Sequence, residues 1–376
     1  MSGPVFTVEM LAGGNGDALW IEYGDPDRPF RILVDGGTEP TRTTLAARFG
    51  ALPDDQRHVE LLIVTHIDGD HIGGILDFLE KQMVPVTFGD VWFNGYRHLP
   101  DTPVESLGPV QGERLTDLLV DPARGLPWNQ AFDGKAVVVP DADQDAPAGD
   151  LPAHELEEGM KLTLLSPGWK ELSLLKPEWA PAVKDANLDP KAPVLPGQAT
   201  GGLEVLGPPP EPPDPADIPA LAARDSPEDP SKPNGSSVGV LAEYGGHRIL
   251  LTGDGHSDVL VRSIRRLAAK EGMQKLKVDA FKLPHHGSNG NVLTELVEAV
   301  ECGTYLFSTN GVRHFHPHQE AVSRVLVSGG PSPVLVFNYV TNFTRFWGEQ
   351  PFRDAWKHHP VYPDADGRSV TRLSQE

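Results

Sequence analysis

Thr65-His66-Ile67-Asp68-Gly69-Asp70-His71-Ile72-Gly73-Gly74 places four metal-competent side chains within six residues. It follows Val59 to Val64, a continuous apolar run of the kind that forms a strand buried on both faces. It runs into a helical pattern from His71 to Glu80. Imidazole and carboxylate together suit Zn, Mn or Fe. Alternation along the extended part turns His66 and Asp68 to one side, while Asp70 and His71 stand at the helix start. Ligands this close in sequence cannot all reach one ion, so two adjacent metals satisfy the spacing better than one. The plainer alternative is a polar loop with Asp70 as helix N-cap. One such Asp is common; four convergent ligands flanked by glycines are not.

Two later stretches repeat an apolar strand that ends in a ligand. Ile249-Leu250-Leu251-Thr252-Gly253 closes on Asp254, and Phe281-Lys282-Leu283-Pro284 closes on His285-His286-Gly287-Ser288. A carboxylate at Asp254 can bridge two metals. Of the two imidazoles, one can ligate while the other faces substrate. Strand ends converge on one rim in open α/β sheets, the usual place for ligands.

Outward from these points the chain alternates strand and helix. Val5 to Leu11, Ala18 to Tyr23 and Arg31 to Val34 read as strands, and Thr41 to Phe49 as a helix. Val238 to Tyr244 and His247 to Leu251 read as a hairpin around Gly245-Gly246. Helices are expected from about Asp258 to Glu271, Val292 to Val300 and Gln319 to Val327, with strands at Val278 to Leu283 and Thr304 to Ser308. The segment from about Asp141 to Pro233 differs in kind: it is acidic and holds about half of the 37 prolines. Within it, 167–233 reads as an insertion or flexible loop. The aromatic-rich stretch 331–376 reads as a C-terminal extension packed on the core. The whole, 1–376, is read as one domain.

The chain has 376 residues and a formal net charge of -21, which opposes loose attraction to nucleic acid or anionic membrane. A single cysteine, Cys302, rules out an internal disulfide and a cysteine metal cluster. With no positive leader and no window of about 20 apolar residues, the expectation is a soluble cytoplasmic protein without membrane contact. Oligomeric state is not readable.

His66-Ile67-Asp68-Gly69-Asp70-His71 resembles the His-x-His-x-Asp-His signature of metallo-β-lactamase-fold hydrolases, with Asp68 in place of the second His. Together with Pro284-His285-His286-Gly287-Ser288, this variant is similar to the metallohydrolase domain of the DNA-uptake protein ComEC and its free-standing relatives. Gly14-Asn15-Gly16-Asp17-Ala18, Asp35-Gly36-Gly37, Asn234-Gly235-Ser236-Ser237 and His316-Pro317-His318 fit the same pattern. The resemblance covers about 1–100 and 230–330. It implies an αββα sandwich carrying the Pro/acid-rich insertion, and two divalent ions, Zn or Mn. His66 and Asp68 would serve the first metal, and Asp70, His71 and His285 the second, with Asp254 bridging. Asn234 stands where a third-motif His is usual, and an amide oxygen is a poorer ligand for Zn, so the first site is expected to lean toward Mn or Mg.

The function expected is metal-dependent hydrolysis of a phosphodiester, in a nucleotide or nucleic acid, by a metal-bridging hydroxide. Asp70, His286, His316 and Asn234 are the residues expected to take part in catalysis, with Ser236 and Ser288 holding substrate; His316 is the candidate general acid. Arg262, Arg266 and Lys270 share one helix face, a solvated face or a small anionic footprint. Two rivals stand beside this reading: a di-iron redox enzyme of the same fold, and a non-catalytic metal-binding relative.

Overall fold

The computed structural model describes residues 3–100, 110–140, 150–185 and 211–374, without the side chains of 178–185. Five strands open the chain: β1 (Val5–Met10), β2 (Leu19–Gly24), β3 (Phe30–Val34), β4 (His58–Ile63) and β5 (Thr87–Trp92). A second sheet runs through β6 (Ala153–Glu155), β7 (Lys161–Ser166), β8 (Gly239–Tyr244), β9 (His247–Leu251), β10 (Leu276–Lys282), β11 (Val300–Phe307), β12 (Val334–Phe337) and β13 (His359–Val361). A last strand, β14 (Ser369–Arg372), returns to pair antiparallel with β1. The orders are β14-β1-β2-β3-β4-β5 and β13-β12-β11-β10-β9-β8-β7-β6.

Helices flank both sheets. Three follow strands of the first half: α1 (Arg42–Gly50), α2 (Gly69–Lys81) and α3 (Val110–Val120). Then come α4 (Trp169–Asp185), α5 (Ile218–Ala222), α6 (Lys232–Gly235), α7 (Ser257–Lys270), α8 (Thr294–Glu298), α9 (Gln319–Ser328) and α10 (Gln350–Trp356). The two-residue period of the strands sorts their side chains between layers. Ile32 and Leu61 face the second sheet and pack with Leu162, Val240 and Leu250. Their neighbours Leu33 and Leu62 face the other way, onto Leu45, Phe49, Ile72 and Ile75 of α1 and α2. That division is why β4 reads as apolar throughout, and it makes the protein an αββα sandwich.

Three expectations change. Residues 167–233 hold more order than a loop: α4 anchors through Leu172 and Leu175, and α5 through Ile218 and Leu221, all buried. These are sparse apolar anchors in an acidic, proline-rich setting; residues 186–210, part of the expected loop, lie outside the described residues. Beyond 331 the chain supplies β12 and β13 to one sheet and β14 to the other, rather than only packing on the core. The helix expected over Val292 to Val300 is confined to α8, because Val300 to Gly303 extends β11.

β3 and β4 run parallel, as do β9, β10, β11 and β12. Their C-terminal ends deliver Asp35, Thr65, Asp254, Pro284 and Ser308 to one rim. A hydrogen bond from Val238 N to Thr65 O (2.9 Å) joins the sheets there.

Candidate metal centre

Asp254 sits at the middle of the rim, 3% exposed, with four imidazoles around it. Its Oδ1 is 3.2 Å from His71 Nε2, and its Oδ2 is 3.5, 3.7 and 3.9 Å from the Nε2 atoms of His286, His285 and His66. Asp68 Oδ2 lies 3.6 Å from His66 Nε2, and Asp70 Oδ2 lies 3.8 Å from His286 Nε2. Sequence positions as far apart as 66 and 286 therefore meet at one carboxylate.

The outer nitrogen of each imidazole fixes its tautomer. His71 Nδ1 faces Asp35 Oδ2 at 2.8 Å; an ionised carboxylate only accepts, so Nδ1 carries the hydrogen. Asp35 also accepts from Thr65 N and Thr65 Oγ1, both at 2.7 Å, which leaves Thr65 Oγ1 to accept from His66 Nδ1 at 3.0 Å. His285 Nδ1 faces Asn291 Oδ1 at 2.8 Å and Asp229 Oδ2 at 3.3 Å. His286 Nδ1 faces the carbonyl of Ser308 at 3.0 Å and Asp17 Oδ1 at 3.3 Å. All four rings thus donate outward and turn an Nε2 lone pair inward. Ligating histidines are oriented in this way by outer partners.

Those lone pairs need a cation between them. His71 Nε2 and His286 Nε2 are 3.3 Å apart. The buried atoms His66 Nε2, Asp254 Oδ1 and Asn234 Oδ1 have no hydrogen-bond partner in the protein. Buried polar groups left so are costly, about 1–3 kcal/mol each. Three carboxylates and four imidazoles form a mixed oxygen and nitrogen set that suits Zn, Mn or Fe. The residues present fit two divalent ions.

Electrostatics agree. Burial raises the Asp254 carboxyl, but His286, His71 and His285 outweigh it and hold the group well below the usual range. Burial lowers His71, yet Asp254 and Asp35 carry it well above an ordinary imidazole. Against the same burial, Asp254 and Asp17 lift His286 to about 9. The field that would retain protons here equally attracts a divalent cation.

His286, expected to face substrate, stands where His285 was expected, beside Asp70 and His71. His285 Nδ1 lies 3.4 Å from Asn234 Nδ2, and its Nε2 lies 3.7 Å from Asp254 Oδ2. Both residues adopt left-handed backbone (φ 48 and 56). The capping alternative for Asp70 also fails. Asp68 occupies the N-cap position without a capping bond, and Asp70 Oδ2 instead accepts from Asn15 Nδ2 at 2.7 Å. Gly16 permits this approach, since a Cβ there would lie 1.7 Å from the Asp70 carbonyl oxygen.

The remaining expected residues divide. His316 is buried, its ring centred 5.1 Å from that of His285. Burial, then the charge of His285, His318, His286 and His314, pushes it well below the usual imidazole range. Asn234 donates to Asp229 Oδ2 at 2.7 Å. Ser236 gives its hydroxyl hydrogen to the Pro233 carbonyl (2.7 Å), and Ser288 Oγ accepts from Gly290 N (3.3 Å). Both serines are buried, so the Ser236 donor is not free for substrate.

Sequence reasoning missed the outer partners. Asp35 carried the same signal as the ligands, an apolar strand ending in a carboxylate. Asp17 stood in the glycine turn. Asp229, inside the acidic segment, and Asn291 carried no signal at all. Although Asp17 clusters with His71, Asp254 and His286, its Oδ2 is taken by Lys282 Nζ at 2.7 Å and its Oδ1 faces His286 Nδ1. It therefore backs a ligand rather than acting as one. Cys302 lies on β11, its thiol pushed up to about 12 by burial, and takes no part.

A curated relative, ComE operon protein 3 of Bacillus subtilis (strain 168), is 33% identical over 107 residues, covering 26% of this chain and 12% of that protein. The chain thus spans about an eighth of that relative's length. Among solved structures, the metallo-beta-lactamase fold protein YhfI from Bacillus subtilis matches at TM-score 0.43 and 13% identity, over 89% of this chain and 96% of its own. CmlA, a diiron β-hydroxylase from Streptomyces venezuelae, matches at TM-score 0.39 and 13% identity, over 99% of this chain and 55% of its own. The family profile described as Metallo-beta-lactamase superfamily matches residues 13–311. The chain belongs to the metallo-β-lactamase superfamily.

Proposed function

We propose that the protein is a two-metal hydrolase acting on a small phosphodiester. One observation carries the metal reading: four imidazoles, each with Nδ1 committed outward, aim Nε2 at one carboxylate. His66, Asp68 and His285 would hold one ion, and Asp70, His71 and His286 the other, with Asp254 between. Bound there, such ions lower the pKa of water toward about 7 and neutralise charge on an attacked phosphoryl group.

The chain's own residues set the stage. Asp35 fixes the rings of His66, through Thr65, and of His71. Asn15 holds Asp70. His316, uncharged, keeps an N–H with which to donate to a phosphate or leaving oxygen. The choice of phosphodiester draws on the ComEC-type pattern of Asp68 and Pro284 to Ser288. Small size is favoured because three of the basic side chains of α7 are already paired. Arg262 contacts Glu171 (3.1 Å), Arg265 Glu295 (2.7 Å) and Lys270 Asp150 (2.7 Å), which leaves little footprint for a long duplex. Among the described residues no helix is long and apolar enough to cross a membrane.

The test is turnover of bis-p-nitrophenyl phosphate, with a β-lactam for comparison, by protein loaded with Zn or Mn. Asp70→Ala and His286→Ala should each lose roughly a hundredfold or more, the few kcal/mol a metal contributes to charge stabilisation. Undiminished turnover in either variant rejects the mechanism. Turnover of the lactam alone rejects the substrate class. Stoichiometric iron with O2 reduction and no ester cleavage assigns the centre to redox chemistry.

A further inference from the structure

Lys282 is a charged side chain with no exposed surface, at the end of β10. Lysine is almost never fully buried without a partner. Its Nζ lies 2.7 Å from Asp17 Oδ2 and donates to the Leu283 carbonyl at 2.9 Å. The other oxygen of Asp17 faces His286 Nδ1 at 3.3 Å, and Asp17 is itself 1% exposed. A line of three buried groups thus ends on a ring whose far nitrogen points at Asp254 and His71. A simple packing role would not require the carboxylate to be shared between an ammonium and an imidazole.

We propose that Lys282 and Asp17 are positioning residues for the metal centre: Lys282 pins Asp17 against His286 Nδ1, and Asp17 fixes that ring and strengthens its Nε2 as a donor. This rests on the two-metal reading above. An unpaired carboxylate buried at this place would be driven toward solvent or neutralised, so Lys282 is what keeps Asp17 there. Ser308 O shares the Nδ1 hydrogen, so Asp17 adds charge and direction to a bond already made. Outer partners of this kind typically change metal affinity by about 10- to 100-fold.

The test is a double-mutant cycle on the full chain: Asp17→Asn, Lys282→Met and the double variant. The Zn dissociation constant of each is read by competition with a chromophoric chelator, and the Tm of each metal-free protein is read beside it. Asp17→Asn should weaken Zn binding by about 10- to 100-fold. Adding Lys282→Met to it should weaken binding no further, because Lys282 acts only through Asp17. The double variant leaves no unpaired buried charge, so it carries the test, with the same loss of about 10- to 100-fold expected, even where either single variant does not fold. Zn constants within twofold of wild type, with only Tm moved, would make the pair purely structural and overturn the proposal. Losses that multiply in the double variant would overturn it as well. Wild-type protein that takes up no Zn overturns this inference and the two-metal reading together, whereas normal wild-type uptake with unaltered variants overturns this inference alone.

Discussion

Asp35→Asn isolates what one carboxylate does for the centre. Asp35 is fully buried and accepts three hydrogen bonds: Thr65 N to Oδ1, and Thr65 Oγ1 and His71 Nδ1 to Oδ2. Its backbone is left-handed (φ 59), a conformation that Asn tolerates as well as Asp, so the exchange tests the side chain and not the turn. An amide has one accepting oxygen. In its cheaper orientation that oxygen keeps Thr65 Oγ1 and His71, and the NH2 group meets the Thr65 N–H, another donor. One charge-assisted bond is lost, at about 1.5–3 kcal/mol, and the two that remain fall to neutral strength, at roughly 1 kcal/mol each. The sum is a destabilisation of about 3–5 kcal/mol, in line with removing one member of a buried charged pair. Urea unfolding in chelator reads this contribution without metal; the midpoint should fall with the slope unchanged. A shift worth less than about 1 kcal/mol would refute the claim that the Asp35 side chain is shared among these donors.

Stripping metal should lower Tm. Two ions, each at about a hundredfold over its dissociation constant, contribute roughly 5 kcal/mol. At about 2.1 cal/mol/K per residue, a chain of this size falls by about 7 °C, recovered on adding Zn or Mn; calorimetry with and without chelator checks it. His98, buried beside Trp128, supplies a pH test away from the centre. Burial, then Arg97, lowers its pKa from 6.5 to about 4. A histidine whose folded value lies below its unfolded one loses stability as pH falls, beginning near 6.5 and complete below about 4, for a total of about 3 kcal/mol. Wild type should therefore lose about 3 kcal/mol more than His98→Gln between pH 7 and pH 4, and parallel unfolding curves would refute it.

The residues around Asp254 were legible because each follows an apolar strand, and parallel strands deliver their ends to one rim. His66, Asp68, Asp70 and His71 were legible from spacing alone. The sides taken by His285 and His286 were not, because they depend on two consecutive left-handed residues that no residue pattern announces. Asp229 was hidden by composition: one acid among many, in a segment whose prolines suggested a spacer, yet its carboxylate holds Asn234, Asn291 and His285. Lys282 shares the buried face of β10 with Leu276, Val278 and Ala280, and the partner that allows a lysine there, Asp17, stands more than 250 positions earlier. Partnerships through space, rather than residue types, were what the linear order withheld.

The inward-facing atoms come from both sheets: His66, Asp68, Asp70 and His71 from the turn after β4, and Asp254, His285 and His286 from turns after β9 and β10. Any ion gripped there is a cross-link between the two halves, closing a loop on the order of 200 residues, and such closure bears on the unfolded ensemble as much as on the native state. The seam should accordingly open from the metal-bearing end when ions leave. Amide exchange would then quicken along Thr65 and Val238 while the distal ends of β4 and β9 stay protected.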